Sequence, residues 1–157
     1  WYHEQQMLGY NYRMTDIQAA LGISQLKKSD GFLKRRRDIA EIYNQELAEL
    51  EWIKLPYQKA DRESSWHLYV IQVDEEKLGK SRKEVFDYLR SKGIGVQVHY
   101  IPVYWHPYYQ DLGCKKGLCP EAETVYKRII TLPLYPQCDY DSISYLLNEF
   151  KKVEGKG

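Results

Sequence analysis

The chain has 157 residues, of which 43% are hydrophobic, so it can bury the core of one ordinary domain, or of one small domain together with a piece of another. Its 23 basic and 22 acidic residues leave a net charge of +1, which favours neither nucleic acid nor an anionic membrane as a partner. No apolar run approaches the roughly 20 residues of a membrane span, and a signal-peptide pattern is absent, so we expect a cytoplasmic protein.

The first predicted helix begins near Asp16, because Thr15 and Gln18 have the spacing of a capping box. Residues 17–26 leave little polar face, which indicates a helix buried on several sides. Gly31 is expected to separate this helix from a second one, whose apolar residues recur at helical spacing. These residues are Ile39, Tyr43, Leu47 and Leu50.

The basic run 34–37 lies at the start of the second helix and allows two interpretations. It suits phosphate or RNA binding, but Lys34 with Asp38 and Arg37 with Glu41 are four residues apart and can form ion pairs. The spacing therefore favours a solvated helix face over a nucleic-acid site.

In the second part of the chain, residues 51–65 predict a short strand and a loop, and residues 66–73 predict an inner strand. Ser81 and Glu84 form another capping box, and the helix that follows is expected to end at Gly93.

Aliphatic residues alternate over residues 94–98 and predict a strand that carries His99 on the opposite face. Residues 100–113 hold two prolines and many aromatic residues, and predict an ordered loop with one helical turn.

A helix is expected from Pro120, with a break at residues 131–136 and a last helix capped by Asp139 or Asp141. The apolar stripe of the first of these helices is Ala122, Val125, Tyr126 and Ile129, and that of the last is Ile143, Leu146, Leu147 and Phe150. The order of elements predicts an α+β layer with helices packed on a mostly antiparallel sheet.

The candidate polar groups lie in two places. Asn11 and Arg13 precede a capped helix, where both side chains can donate to an anion, although the spacing alone favours a turn at Asn11 and a surface ion pair at Arg13. His67 lies in an apolar strand and is interpreted as a core histidine. The cysteines, Cys114, Cys119 and Cys138, are odd in number and have no metal spacing, so we expect free thiols and no metal site.

His99 is the better candidate for a functional histidine, because the chain then enters the aromatic loop. A cleft lined by Tyr100, Tyr104, Trp105 and His106 suits stacking on a planar ring, with hydrogen bonds from the polar tips. A packed aromatic cluster is the alternative.

Two motifs carry a family resemblance. Residues 9–22, Gly-Tyr-Asn-Tyr-Arg-Met-Thr-Asp-Ile-Gln-Ala-Ala-Leu-Gly, and residues 98–103, Val-His-Tyr-Ile-Pro-Val, resemble segments of the DegT/DnrJ/EryC1/StrS sugar aminotransferases. The resemblance covers nearly the whole chain, including residues 66–69 and 132–136. It is closest to enzymes that aminate the C4 ketone of a UDP-linked 6-deoxy N-acetyl sugar, or to spore-coat polysaccharide relatives.

This resemblance implies a pyridoxal phosphate (PLP) enzyme of the aspartate-aminotransferase fold, fold type I, that works as a homodimer. It would move an amino group from glutamate to a keto-sugar nucleotide in surface-polysaccharide or glycan biosynthesis. Residues 1–50 would be the C-terminal helices of the large PLP domain with a bridging helix. Residues 51–157 would be the small α+β C-terminal domain.

The resemblance also assigns site residues. Asn11 would donate to the PLP phosphate of the other subunit, and Arg13 would stand near bound anionic groups. The expected substrate-binding residues are Arg13, His99, Tyr100, Pro102, Tyr104 and Trp105.

The family's Schiff-base lysine lies upstream of the first motif, so we expect no catalytic residue in this chain. The sequence thus predicts the C-terminal portion of an aminotransferase, inactive alone. The alternative is a free-standing, non-catalytic binding or assembly module derived from the small domain.

Overall fold

The computed structural model describes residues 1–155 of the chain. The helices are α1 (Asp16–Leu26), α2 (Ser29–Leu47), α3 (Glu75–Leu78), α4 (Arg82–Ser91), α5 (Pro107–Asp111), α6 (Pro120–Arg128) and α7 (Tyr140–Glu154). The strands are β1 (Ile53–Lys54), β2 (Tyr69–Val73) and β3 (Ile129–Leu132). Within this part of the chain, no helix combines the length and the apolar character that crossing a membrane requires.

The sheet has the order β1-β2-β3, and both pairs of neighbouring strands are antiparallel, as the sequence predicts. Strand β2 is the inner strand, but it begins at Tyr69 and not at Trp66. Trp66 has a φ of 47°, in the left-handed region, which is incompatible with an extended strand. Exposed His67 therefore precedes the strand, and its interpretation as a core histidine is wrong.

The third strand lies where the sequence analysis placed the end of a helix and a break. Residues 129–132 pair with β2, with Tyr69 opposite Leu132. The strand predicted over residues 94–98 is wrong, since this segment makes only an isolated bridge between Gln97 and Thr131.

One hydrophobic core joins α2, the sheet, α4 and α7. Its largest fully buried side chains include Tyr43 of α2, Tyr69 of β2, and Trp52, which stacks on Phe150 of α7 with ring centroids 6.0 Å apart. The predicted apolar faces of α2 and α7 are confirmed by this burial. The expected stripe of α6 is not, because Val125 and its neighbours in that helix are exposed or half-buried.

Helix α1 differs from the other long helices. The capping box of Thr15 and Gln18 is present, but α1 contains no buried residue, and Ile17 is 83% exposed. Gly31 does not separate the first two helices, because it lies inside α2 and the interruption falls at Lys27 and Lys28. The apolar face of α1 therefore has no cover within residues 1–155.

Other helix ends follow their local sequence signals. Ser81 and Glu84 form the predicted capping box of α4, and Gly93 follows that helix with a φ of 77°. The Asp139 side chain caps α7 by accepting a 2.7 Å hydrogen bond from the Ser142 N–H. Such caps satisfy backbone donors that the helix itself leaves free.

The basic side chains at the start of α2 mostly form ion pairs and hydrogen bonds with other parts of the same chain. Lys34 and Asp38 form the predicted ion pair at 2.9 Å, but Arg37 pairs with Glu63 and not with Glu41. A single nitrogen of Arg36 donates to three backbone carbonyls. These belong to Trp66, His67 and Leu134, at 3.1, 3.3 and 3.0 Å.

The three cysteines are free thiols.

Candidate functional site

The Asn11 segment lies before the capped end of α1. The Asn11 side-chain carbonyl accepts the Arg13 N–H at 3.1 Å, which leaves the amide Nδ2 as the donor of this side chain. Thr15 and Gln18 bond to each other's side chains and backbones, which commits them to the cap. Asn11 and Arg13 are both exposed, and together they offer an amide and a guanidinium to an anion.

His99 lies half-buried beside the sheet. Its ring Nδ1 is 3.0 Å from the Thr131 hydroxyl, and Thr131 is buried in β3. The Tyr100 ring packs against the His99 ring at 72°, with centroids 4.5 Å apart, across a cis peptide bond. Tyr100 is 68% exposed, so its ring is available to a ligand.

The aromatic loop continues through buried Pro102 into a 3-10 turn, Val103–Trp105. Tyr104 and Trp105 are half-buried, and the polar atoms of both side chains donate to the Glu123 carboxylate, at 2.8 and 3.2 Å. His106 is exposed and stands at the start of α5, which extends the single helical turn expected here.

The structure therefore brings the predicted residues together in part. His99, Tyr100, Tyr104 and Trp105 follow one another on a loop beside β3, whereas Asn11 shares no hydrogen bond with them within residues 1–155. Sequence reasoning missed Thr131 and Glu123. Neither residue stands in a motif. Thr131 contacts His99 from 32 positions away and Glu123 contacts Tyr104 from 19 positions away, so local spacing gives no signal for either contact.

A separate cleft of about 380 Å³ lies near the start of α7. Tyr43, Ile94, Tyr135 and Cys138 contribute to its lining, and none of the predicted site residues does. Burial raises the pKa of the Cys138 thiol, which favours its neutral form. In the described part of the chain, no three His, Cys, Asp or Glu side chains are grouped so that they could hold a metal ion.

The fold and both motif segments agree with one class of protein. The family model of the DegT/DnrJ/EryC1/StrS aminotransferases matches residues 1–151. The chain belongs to the DegT/DnrJ/EryC1/StrS aminotransferase family, which confirms the resemblance seen in its sequence.

Several known proteins are similar to most of this chain. The spore coat polysaccharide biosynthesis protein SpsC of Bacillus subtilis is 41% identical over 155 residues, which cover 98% of the chain and 40% of SpsC. Among solved structures, Spr1654 of Streptococcus pneumoniae in its PLP-form has a TM-score of 0.85 and 32% identity, covering 98% of this chain and 39% of that one. PseC of Helicobacter pylori, an aminotransferase involved in the biosynthesis of pseudoaminic acid, has a TM-score of 0.84 and 29% identity, and the match covers 96% of this chain and 40% of PseC.

These matches confirm an aminotransferase fold, with an α+β architecture in this chain. Spr1654 is known in PLP-form and PMP-form, so members of the family use pyridoxal phosphate. The chain spans about 40% of the length of the curated relatives that it matches.

Proposed function

We propose that this chain supplies the C-terminal portion of a PLP-dependent aminotransferase that moves an amino group from glutamate to a keto-sugar nucleotide. The observation that carries the proposal is the family match over residues 1–151, which includes the Asn11 segment and the aromatic loop. The likeness to SpsC supports a place in surface-polysaccharide biosynthesis. A 4-keto-6-deoxy N-acetyl sugar linked to UDP is the proposed amino acceptor.

The contrast between α1 and the rest of the chain supports one part of the proposed domain division, whereas α2 packs in one core with the sheet, α4 and α7 and so suits the role of the bridging helix. Residues 1–50 would complete the large PLP domain and bridge to a small domain formed by residues 51–157. The exposed Ile17, Leu21 and Leu26 support an association that covers α1. Burial of several hundred Å² at about 25 cal/mol per Å² would favour it by several kcal/mol before entropic costs. We propose a second copy of the chain, in a homodimer, as the partner.

The side chains of the Asn11 segment fit the cofactor's phosphate. The hydrogen bond from the Arg13 N–H fixes the Asn11 side chain so that Nδ2 is its free donor, and no carboxylate takes part in that contact. When bound to a lysine, PLP supplies an electron sink for transfer of the amino group. Asn11 would bind the phosphate of the other subunit's PLP, and Arg13 would attract the anionic groups of cofactor or substrate.

The aromatic loop would orient the sugar nucleotide. A ketone has no charge of its own, so ring surfaces and hydrogen bonds to the sugar and diphosphate must hold it in place. Exposed Tyr100 offers a ring and a hydroxyl, and His99 is fixed by Thr131 through Nδ1. Pro102, Tyr104 and Trp105 would shape the remaining wall of the site.

The test compares this 157-residue chain with the product of the full reading frame in which it lies. We expect the full product, given PLP, glutamate and the keto-sugar nucleotide, to form 2-oxoglutarate and an amino sugar. The 157 residues alone should form neither, because the family's Schiff-base lysine precedes the first motif. Turnover by the chain alone, or none by the full product, would contradict the proposal.

Asn11→Ala in the full product tests the cofactor contact. Loss of one hydrogen bond to a charged group should weaken PLP binding about 10-fold or more, measured from the absorbance of the bound cofactor. Asn148→Ala, in an exposed position on α7, is the matched control and should retain PLP normally.

A further inference from the structure

Glu123 joins three donors at a single carboxylate oxygen. Its Oε1 accepts hydrogen bonds from the Tyr104 hydroxyl at 2.8 Å, from the Trp105 indole N–H at 3.2 Å and from the backbone N–H of Gly117. The Tyr104 hydroxyl in turn accepts the Cys119 N–H at 3.3 Å. One side chain in the first turn of α6 thus holds both the 3-10 turn and the loop over residues 112–119.

The Trp105 ring is also covered. The Lys116 ammonium lies over it, 4.8 Å from the ring centroid, and the Tyr126 ring meets it edge-on with centroids 5.4 Å apart. The Gly117 N–H, together with the Tyr104 and Trp105 donors, lowers the pKa of the Glu123 carboxyl. The carboxylate therefore stays ionised and accepts all three bonds at neutral pH.

We propose that Glu123 is a positioning residue of the substrate site, which fixes the aromatic loop through Tyr104, Trp105 and Gly117. The inference rests on the proposed function, which puts this loop against the sugar nucleotide. It assigns Tyr104 and Trp105 a role through shape, because their polar atoms are already bonded to Glu123 and do not serve the ligand. Hydrogen bonds to the ligand then come from other groups on the loop, such as the exposed Tyr100.

Hydrogen exchange tests the anchoring without any substrate. In the product of the full reading frame, Glu123→Ala should speed exchange of the Gly117 and Cys119 amides about 10-fold or more. Glu123→Gln keeps a side-chain carbonyl as acceptor and should restore most of the protection. Glu121→Ala removes an exposed carboxylate from the same helical turn and should leave both amides unchanged. Unaltered exchange in Glu123→Ala would overturn the inference.

Steady-state kinetics test the role in substrate binding. Glu123→Ala should raise KM for the keto-sugar nucleotide about 10-fold, with the reaction of glutamate unchanged, and Glu123→Gln should restore KM in large part. Tyr104→Phe should add little to the KM of Glu123→Ala, since the bond to Glu123 is already lost and the hydroxyl then keeps only its contact with Cys119 within the described residues. Additive losses would mean that the Tyr104 hydroxyl binds substrate directly and would overturn the assignment.

The two experiments separate the failure of this inference from failure of the proposed function. A wild-type product without activity on any keto-sugar nucleotide would refute the proposed function and the substrate role of the loop. The exchange rates would still decide whether Glu123 holds the loop in place.

Discussion

Two capping boxes of the same type on helices with different packing give the sharpest test of how stability is distributed in this chain. Thr15 caps α1 and Ser81 caps α4, each within a complete capping box. Helix α1 buries no residue, whereas α4 buries Val85 and Leu89 almost completely. Loss of a capping hydroxyl can therefore be compared between a helix that packs on nothing within residues 1–155 and a helix that packs in the core.

Removing such a cap by substitution with alanine costs roughly 1 kcal/mol of helix stability. Ser81→Ala should lower the global free energy of unfolding by about that amount, because α4 unfolds together with the core that contains Val85 and Leu89. Thr15→Ala should lower it by less than about 0.3 kcal/mol, since α1 can fray while the core stays folded. Its cost should appear locally, as exchange of the Gln18 amide about fivefold faster.

Urea unfolding followed by tryptophan fluorescence measures the global term, and hydrogen exchange measures the local one. Both should be run on this chain at a concentration where light scattering reports a monomer, so that no second copy covers α1. Equal losses of global stability in Thr15→Ala and Ser81→Ala would refute the view that α1 has no packing partner among residues 1–155.

Two further predictions concern charged side chains that tie α2 and α7 to the rest of the fold. Arg36→Met should lower the free energy of unfolding by about 2 kcal/mol in urea titrations, because it removes charge-assisted hydrogen bonds to three backbone carbonyls. Lys34→Met removes only an exposed ion pair and should lower the same free energy by less than about 0.5 kcal/mol. Similar losses in both variants would contradict this. Hydrogen bonds from Lys152, the larger effect, and from Tyr88 lower the pKa of Glu149. The contribution of ionised Glu149 to stability is therefore complete above the ordinary glutamate pKa and is lost as the pH falls through the lowered pKa of the folded state. Glu149→Gln should flatten the acid side of the stability profile over that range, and a profile parallel to wild type would show that Glu149 makes no such contribution.

The elements that the sequence predicts well are those whose signal is local. The caps at Thr15, Ser81 and Asp139 need only a partner three residues away, and all three are present in the structure. The apolar faces of α2 and α7 follow from helical spacing in the same way. Both are confirmed by their burial in one core.

Strand β3 shows where local reasoning fails. Ile129 continues the helical spacing of α6, and short apolar runs do not distinguish a strand from a helix. What makes residues 129–132 a strand is their pairing with Tyr69 through Gln72 of β2, about sixty residues earlier in the chain. The segment 94–98 has better alternation but lacks such a continuous partner, so it forms only a bridge.

The same limit applies to the candidate site. The motifs identified Asn11, His99 and Tyr100, because the family resemblance is carried by consecutive residues. Glu123 contacts Tyr104 from 19 positions away, and Arg36 contacts Leu134 from 98 positions away, so no spacing in the sequence predicts either contact. These residues became visible only through the fold.

The two halves of the proposed site draw their order from different sources. Thr131 exchanges both backbone hydrogen bonds with Gln97, at 2.7 and 3.1 Å, and its hydroxyl meets the His99 ring, so the register of β3 fixes His99 directly. Asn11 lies before a helix that buries nothing within residues 1–155. Packing of α1 within residues 1–155 therefore contributes nothing to the ordering of Asn11, whereas His99 is held by the core of this chain itself.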